Sequence, residues 1–101
     1  MREKEFAVRL AKLRVNKGVS ARDMSLSMGQ NPGYINNIES GKSLPSLPGF
    51  FYICEYLGIS PMEFFDAENS NPTKSKELLD AAKSLSSEQL EHLIAIAKGL
   101  K

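Results

Sequence analysis

The chain has one cysteine, one histidine and no tryptophan among its 101 residues, and each scarcity removes a class of function. Cys54 alone cannot close an intramolecular disulfide, and with His92 as the sole imidazole no Cys/His metal set can be assembled. No glycine-rich phosphate loop, Ser/His/Asp set or paired-carboxylate arrangement is recognisable, so the sequence supports neither catalysis nor a cofactor. Long apolar runs are missing too. The longest nearly apolar stretch, residues 50–59, is interrupted by Glu55 and falls far short of the ~20 residues that span a bilayer. Met1-Arg2-Glu3-Lys4-Glu5 leads straight into amphipathic sequence, unlike a secretory leader. The expectation is a cytoplasmic protein that is not an enzyme and has no membrane partner.

An excess of one charge is also lacking, since 13 Lys/Arg face 12 Asp/Glu for a formal net charge of +1. Residues 1–65 carry eight basic groups against six acids, and residues 66–101 carry five lysines against six acids. Charge alone does not announce a nucleic-acid partner; for one to bind, the basic residues must gather on one face.

What the sequence does have is helical periodicity, with no period-two strand pattern. Phe6, Leu10 and Leu13 recur at i, i+4 and i+7 in a first helix that Gly18 stops. Ser20 is a natural N-cap for a short second helix with Met24 and Met28 inward and Gly29 at its end. Asn31-Pro32 is a second start signal, predicting a third helix over 31–40 with Ile35 and Ile38 inward. Pro48 is expected to open a fourth helix carrying Phe50, Ile53, Cys54 and Leu57 inward, and Ser60-Pro61 a fifth. Residues 66–73 have a linker's composition. Beyond them, Leu78, Leu79 and Ala82 suggest one helix, and Ser86 with Gln89 in capping-box spacing begins another. The predicted architecture is all-α: five short helices in a domain over 1–66, a linker over 67–73, and two additional helices over 74–101.

Two short helices meeting at Gly29 make a helix-turn-helix candidate within 20–40. A dispersed pattern sharpens it: Arg14-x-x-Lys17-Gly18-Val19-Ser20, Met28-Gly29, Tyr34-Ile35-x-x-Ile38-Glu39-x-Gly41-Lys42, Pro45-Ser46-Leu47, and Leu57-Gly58-Ile59-Ser60 through Phe64-Phe65. This resembles the Cro/CI-type (XRE, lambda-repressor-like) helix-turn-helix family over about two-thirds of the chain. The resemblance implies a five-helix domain that binds double-stranded operator DNA, usually as a homodimer, to regulate transcription.

The third helix agrees with that implication. At ~100° per residue, Ile35, Ile38 and Glu39 share one face. Gly33, Asn37 and Ser40 point the other way, flanked by Asn36 and Tyr34. This outward flank is small, uncharged and hydrogen-bonding, and asparagine can pair bidentately with adenine. The expected base-reading set is Gln30, Asn31, Gly33, Tyr34, Asn36 and Asn37. Pro32 and Gly33 supply no side-chain donor where the family often has one, which shifts readout to the Gln and Asn side chains and to DNA shape. By family position, Ser20, Ala21 and Arg22, then Ser40, Lys42 and Ser43, are expected at phosphates. Arg14 and Glu39 fall where the family forms an ion pair that fixes the reading helix.

Two further expectations concern partners. Phe51, Tyr52 and Tyr56 give the fourth helix a second apolar face, readable as a broad core face or as an interface. Leu90, Leu93, Ile94, Ala97 and Leu100 stripe the last helix. Short amphipathic helices need a partner surface, whether their own domain, a second copy or a protein regulator; dimerisation is the favoured reading. The sequence thus leaves two alternative readings of function: a homodimeric DNA-binding repressor, or an antitoxin or anti-regulator that mainly binds another protein. His92 is expected on a solvated face, and no metal site is expected.

Overall fold

The computed structural model describes residues 1–100 and contains seven helices and no strands among them. They are α1 (Glu3–Lys17), α2 (Ala21–Ser27), α3 (Tyr34–Glu39), α4 (Leu47–Leu57), α5 (Pro61–Phe65), α6 (Pro72–Ala82) and α7 (Ser87–Gly99). The all-α architecture follows from caps and periodicity. Ser20, Ser46, Ser60 and Ser86 each accept a backbone N–H three residues on, satisfying orphan donors at the starts of α2, α4, α5 and α7. Glu63 and Gln89 return the bond to Ser60 and Ser86 as capping boxes.

Three boundaries differ from the sequence reading, one of them α6, which starts at Pro72 inside the expected linker with Asn71 as its cap. α3 begins at Tyr34, because Asn31 and Pro32 build a turn and not a helical start. α4 begins one residue earlier than Pro48, with Ser46 as its cap and Pro48 inside the first turn, where its missing N–H costs nothing.

One core joins α1 to α5. Leu10, Met24, Ile35, Ile53 and Phe64 are fully buried, with Leu13, Ile38, Phe50, Cys54, Leu57 and Ile59 around them. Phe6, Phe50 and Phe64 fasten α1, α4 and α5 together, the Phe6 and Phe64 rings 4.8 Å apart and Phe50 edge-on to Phe64 at 5.1 Å.

Arg9 has no counterpart in the sequence reading. It is 4% exposed in the floor of this core. Its guanidinium donates to four carbonyls: Phe64 at 2.6 Å, and Glu63, Asp66 and Asn69 each at 2.8 Å. These bonds satisfy the orphan carbonyls at the end of α5 and draw residues 66–69 onto α1. Asn16 Nδ2 donates to the Ser70 carbonyl, Pro72 is buried, and the Thr73 hydroxyl donates to the Leu57 carbonyl at 3.4 Å. The stretch with a linker's composition is therefore docked along its length and is not a free tether.

Past Pro72 the chain leaves the core. α6 buries only that proline and α7 buries nothing. The molecule measures 50 × 24 × 22 Å with a radius of gyration of 16.3 Å, against about 13 Å for a compact domain of this length.

Two outcomes follow. Arg9→Met leaves four carbonyls without their donor, and a loss of about 3 kcal/mol is expected. That corresponds to at least about 10 °C in Tm, together with rapid proteolytic cleavage within 66–71; a variant cut no faster than the parent would refute the clamp. Burial pushes the Cys54 thiol up from 9.0 to about 11, so the folded chain resists forming the thiolate. Below pH 9 this group leaves stability unchanged. Between pH 9 and pH 11 the unfolded chain releases a proton that the folded chain keeps, so stability falls by at most about 3 kcal/mol. Urea midpoints at pH 8 and pH 10.5, compared with those of Cys54→Ala, isolate that slope.

Candidate nucleic-acid interface

α2 and α3 are joined by a turn whose geometry begins at Gly29, with φ +73°, a left-handed conformation glycine adopts without a steric penalty. The reversal lets the Gln30 N–H donate to the Ser25 carbonyl at 2.9 Å. Asn31 then closes the turn. Its Oδ1 accepts the Gly33 N–H at 3.0 Å and its carbonyl accepts the Tyr34 N–H at 3.1 Å.

The N-cap of α3 is Gly33, which has no side chain to cap with. A hydroxyl from α2 stands in. Ser25, fully buried, accepts the Ile35 N–H at 3.0 Å and donates to the Ala21 carbonyl at 2.7 Å. Periodicity does not single this residue out; the available signal is a serine beside Met24 on the buried face of α2.

The other end of α3 is held by charge. Arg14 grips Glu39 with two parallel bonds, Nε to Oε2 at 2.7 Å and Nη2 to Oε1 at 2.9 Å. Its Nη1 donates to the Val19 carbonyl at 2.9 Å. The side chains are 17% and 12% exposed, so the fork works largely out of water. The bond to Glu39 holds the Arg14 guanidinium above its ordinary pKa, against the opposing effect of burial.

With Ile35 and Ile38 in the core, the opposite flank is left open. Asn36, Asn37 and Ser40 are exposed, and Gln30 and Asn31 are exposed in the turn before them. Gly33 lies between two carboxamides: a Cβ there would meet Asn31 Oδ1 at 3.6 Å and Asn37 Nδ2 at 3.8 Å. The Ser40 hydroxyl donates to the Asn37 carbonyl at 3.2 Å, which also accepts the Lys42 and Ser43 N–H groups at 2.9 and 3.2 Å. The side chains of Lys42 and Ser43 are exposed. At the start of α2, Ser20 and Arg22 are exposed and Ala21 is half-buried. The Ser20 hydroxyl accepts the Asp23 N–H at 3.0 Å, leaving its proton to donate elsewhere.

Tyr34 departs from its expected place on the outward flank. It is half-buried, packed on the core, and its hydroxyl sits only 2.8 Å from where a Cβ at Gly49 would stand. The aromatic ring has too much apolar surface to stay on the wet side while the entry to α4 offers it a slot. Tyr34 therefore joins α3 to α4.

The residues expected at a protein interface are divided. Phe51 and Tyr52 are 49% and 60% exposed, whereas Tyr56 packs on the core with Lys17 Nζ 5.1 Å above its ring. On α7, Leu90 and Leu93 are half-buried, and Ile94, Ala97 and Leu100 are exposed. His92 is exposed, and among the described residues no cluster of His, Cys, Asp or Glu could hold a metal ion. Among them, too, no helix is long and apolar enough to cross a membrane.

Arg14→Ala strands the Glu39 carboxylate and the Val19 carbonyl. A loss of about 3 kcal/mol is expected, lowering Tm by about 10 °C or more. Unchanged thermal stability with weakened DNA binding would instead make Arg14 a contact residue.

Residues 7–70 match the helix-turn-helix domain family, a span running from α1 to the docked segment after α5. Neither the curated proteins nor the solved structures gave a match. More than half of the chain lies inside the matched span, and the chain belongs to the helix-turn-helix domain family of DNA-binding proteins.

Proposed function

We propose that the protein is a sequence-specific transcriptional repressor of the Cro/CI type, binding double-stranded DNA as a cytoplasmic homodimer without a cofactor. The observation that carries this reading is the contrast between the two sides of α3: one buried and clamped at both ends, the other an exposed, uncharged row of hydrogen-bonding groups. Such a row can approach base edges closely, and Asn36 and Asn37 offer both donor and acceptor there. Gln30 and Asn31 extend the row at its start. Arg22 and Lys42 lie on either side of it along the chain, with the Ser20 and Ser43 hydroxyls beside them, as residues that position a domain on phosphates do. Tyr34 supports the reading helix from behind.

On this reading residues 1–66 form the DNA-reading unit, 67–73 the connection and 74–101 the dimerisation element. The exposed area supports that last role. The chain exposes 7095 Å², whereas a compact monomer of its mass exposes about 5,700 Å². The excess of about 1,400 Å² per chain exceeds the ~800 Å² per partner of a standard interface. Leu78, Leu79, Ile94 and Ile96, all more than half exposed, lie on the helices that project. A dimer that reads two operator half-sites has to set its reading helices about 34 Å apart, one turn of B-DNA.

One observation favours a different role, that of an antitoxin or anti-regulator: Phe51 and Tyr52 sit exposed on α4. Selection from a random duplex pool at two salt concentrations separates the readings. A recurring half-site, paired at one helical turn, and an affinity falling steeply with salt are expected. Asn37→Ala should reduce discrimination at one base pair per half-site by about 1–3 kcal/mol while circular dichroism stays unchanged. A folded protein that binds no duplex at low salt would give the function to the protein-binding role.

A further inference from the structure

We propose that Ser25 is the positioning residue that sets the pose of α3 against DNA. The proposal rests on the DNA-binding reading above and adds a residue to it. α3 has six residues and a glycine at its N-cap, so its first turn has no side-chain acceptor of its own. Ser25 reaches across from α2 and accepts the Ile35 N–H at 3.0 Å. Its own proton is committed to the Ala21 carbonyl at 2.7 Å, which fixes the hydroxyl's rotation and aims a lone pair at Ile35. The same residue's carbonyl accepts the Gln30 N–H at 2.9 Å, so backbone and side chain together hold the turn and the helix that follows. Ser25 is fully buried and its bond to the Ile35 N–H is buried with it, where no water can take that bond over.

An apolar residue of similar size could fill this space, but it could not orient α3. The distinction matters because the two helices have separate tasks: α2 sits among the phosphate-facing groups and α3 carries the base-facing ones. Losing the hydroxyl frees the start of α3 to shift relative to α2, while the Arg14 fork on Glu39 still holds its end with Lys42 beyond it, so the phosphate grip stays as it was. Selectivity should fall without a fall in non-specific affinity.

The experiment compares the parent with Ser25→Ala and Ser25→Thr on the selected duplex and on a scrambled duplex, across a salt series, well below each Tm. For Ser25→Ala, the ratio of specific to non-specific affinity is expected to drop by about tenfold or more. Affinity for the scrambled duplex and the salt slope should stay within twofold of the parent. Ser25→Thr, which returns a hydroxyl, should recover most of the ratio. A role limited to stability would lower Tm and leave the ratio intact, and that result overturns the proposal. Amide exchange in the unbound parent gives a reading that needs no variant to fold: the Ile35 N–H should exchange at least about a hundredfold more slowly than an unprotected amide, and near-unprotected exchange overturns the proposal as well. If the parent binds no duplex, the DNA-binding reading fails first; if the parent discriminates and Ser25→Ala does so equally, only the role of Ser25 fails.

Discussion

A helix of six residues does not persist in water, because the cost of fixing its first turn is never recovered over so short a ladder. α3 is such a helix, and its existence depends on what holds it from outside. Ile35 and Ile38 bury its inner side, the Ser25 hydroxyl takes an orphan donor at its start, and the Arg14 fork fastens Glu39 at its end. None of these contacts uses the outer flank. The helix is therefore rigid from behind and bare in front, which is the condition for presenting Asn36 and Asn37 to another molecule at small entropic cost.

Two arginines do opposite electrostatic work in this framework. Arg14 meets a carboxylate, so its charge is compensated and the pair adds direction to the end of α3. Arg9 is more deeply buried and meets only carbonyl dipoles, so burial pulls its guanidinium below the ordinary range, with Asp66 offsetting part of that pull. In exchange it ties together a turn of α5 and the segment after it. The chain thereby divides sharply at Pro72: a packed body on one side, and on the other two helices whose apolar residues face solvent.

Much of this was legible in the sequence, because helix ends are written locally. Ser20, Ser60 and Ser86 act as caps in the structure as their spacing suggests, and the buried residues of α1 and α4 follow the 3.6-residue period. Asn31-Pro32 misleads because asparagine serves a turn as readily as a helix start, and the local string does not distinguish them. Arg9 was invisible for a different reason. Its acceptors lie 54 to 60 residues away and are backbone carbonyls, which leave no mark on the sequence. Ser25 and Tyr34 share that difficulty: a buried serine reads as a small spacer, and a tyrosine beside a polar flank reads as part of it until the slot against Gly49 is seen.

The approach of Tyr34 to Gly49 ties two distant positions together. A methyl group at 49 would stand 2.8 Å from the phenolic oxygen and 3.1 Å from Ser46 Oγ, so alanine there forces the Tyr34 ring to shift. Shortening residue 34 to phenylalanine would remove the nearer of the two contacts, leaving Ser46 Oγ at 3.1 Å, so that alanine becomes easier to fit at 49 but nothing larger. The choice of residue at 49 is thus tied to a phenol fifteen positions away as well as to the cap of its own helix.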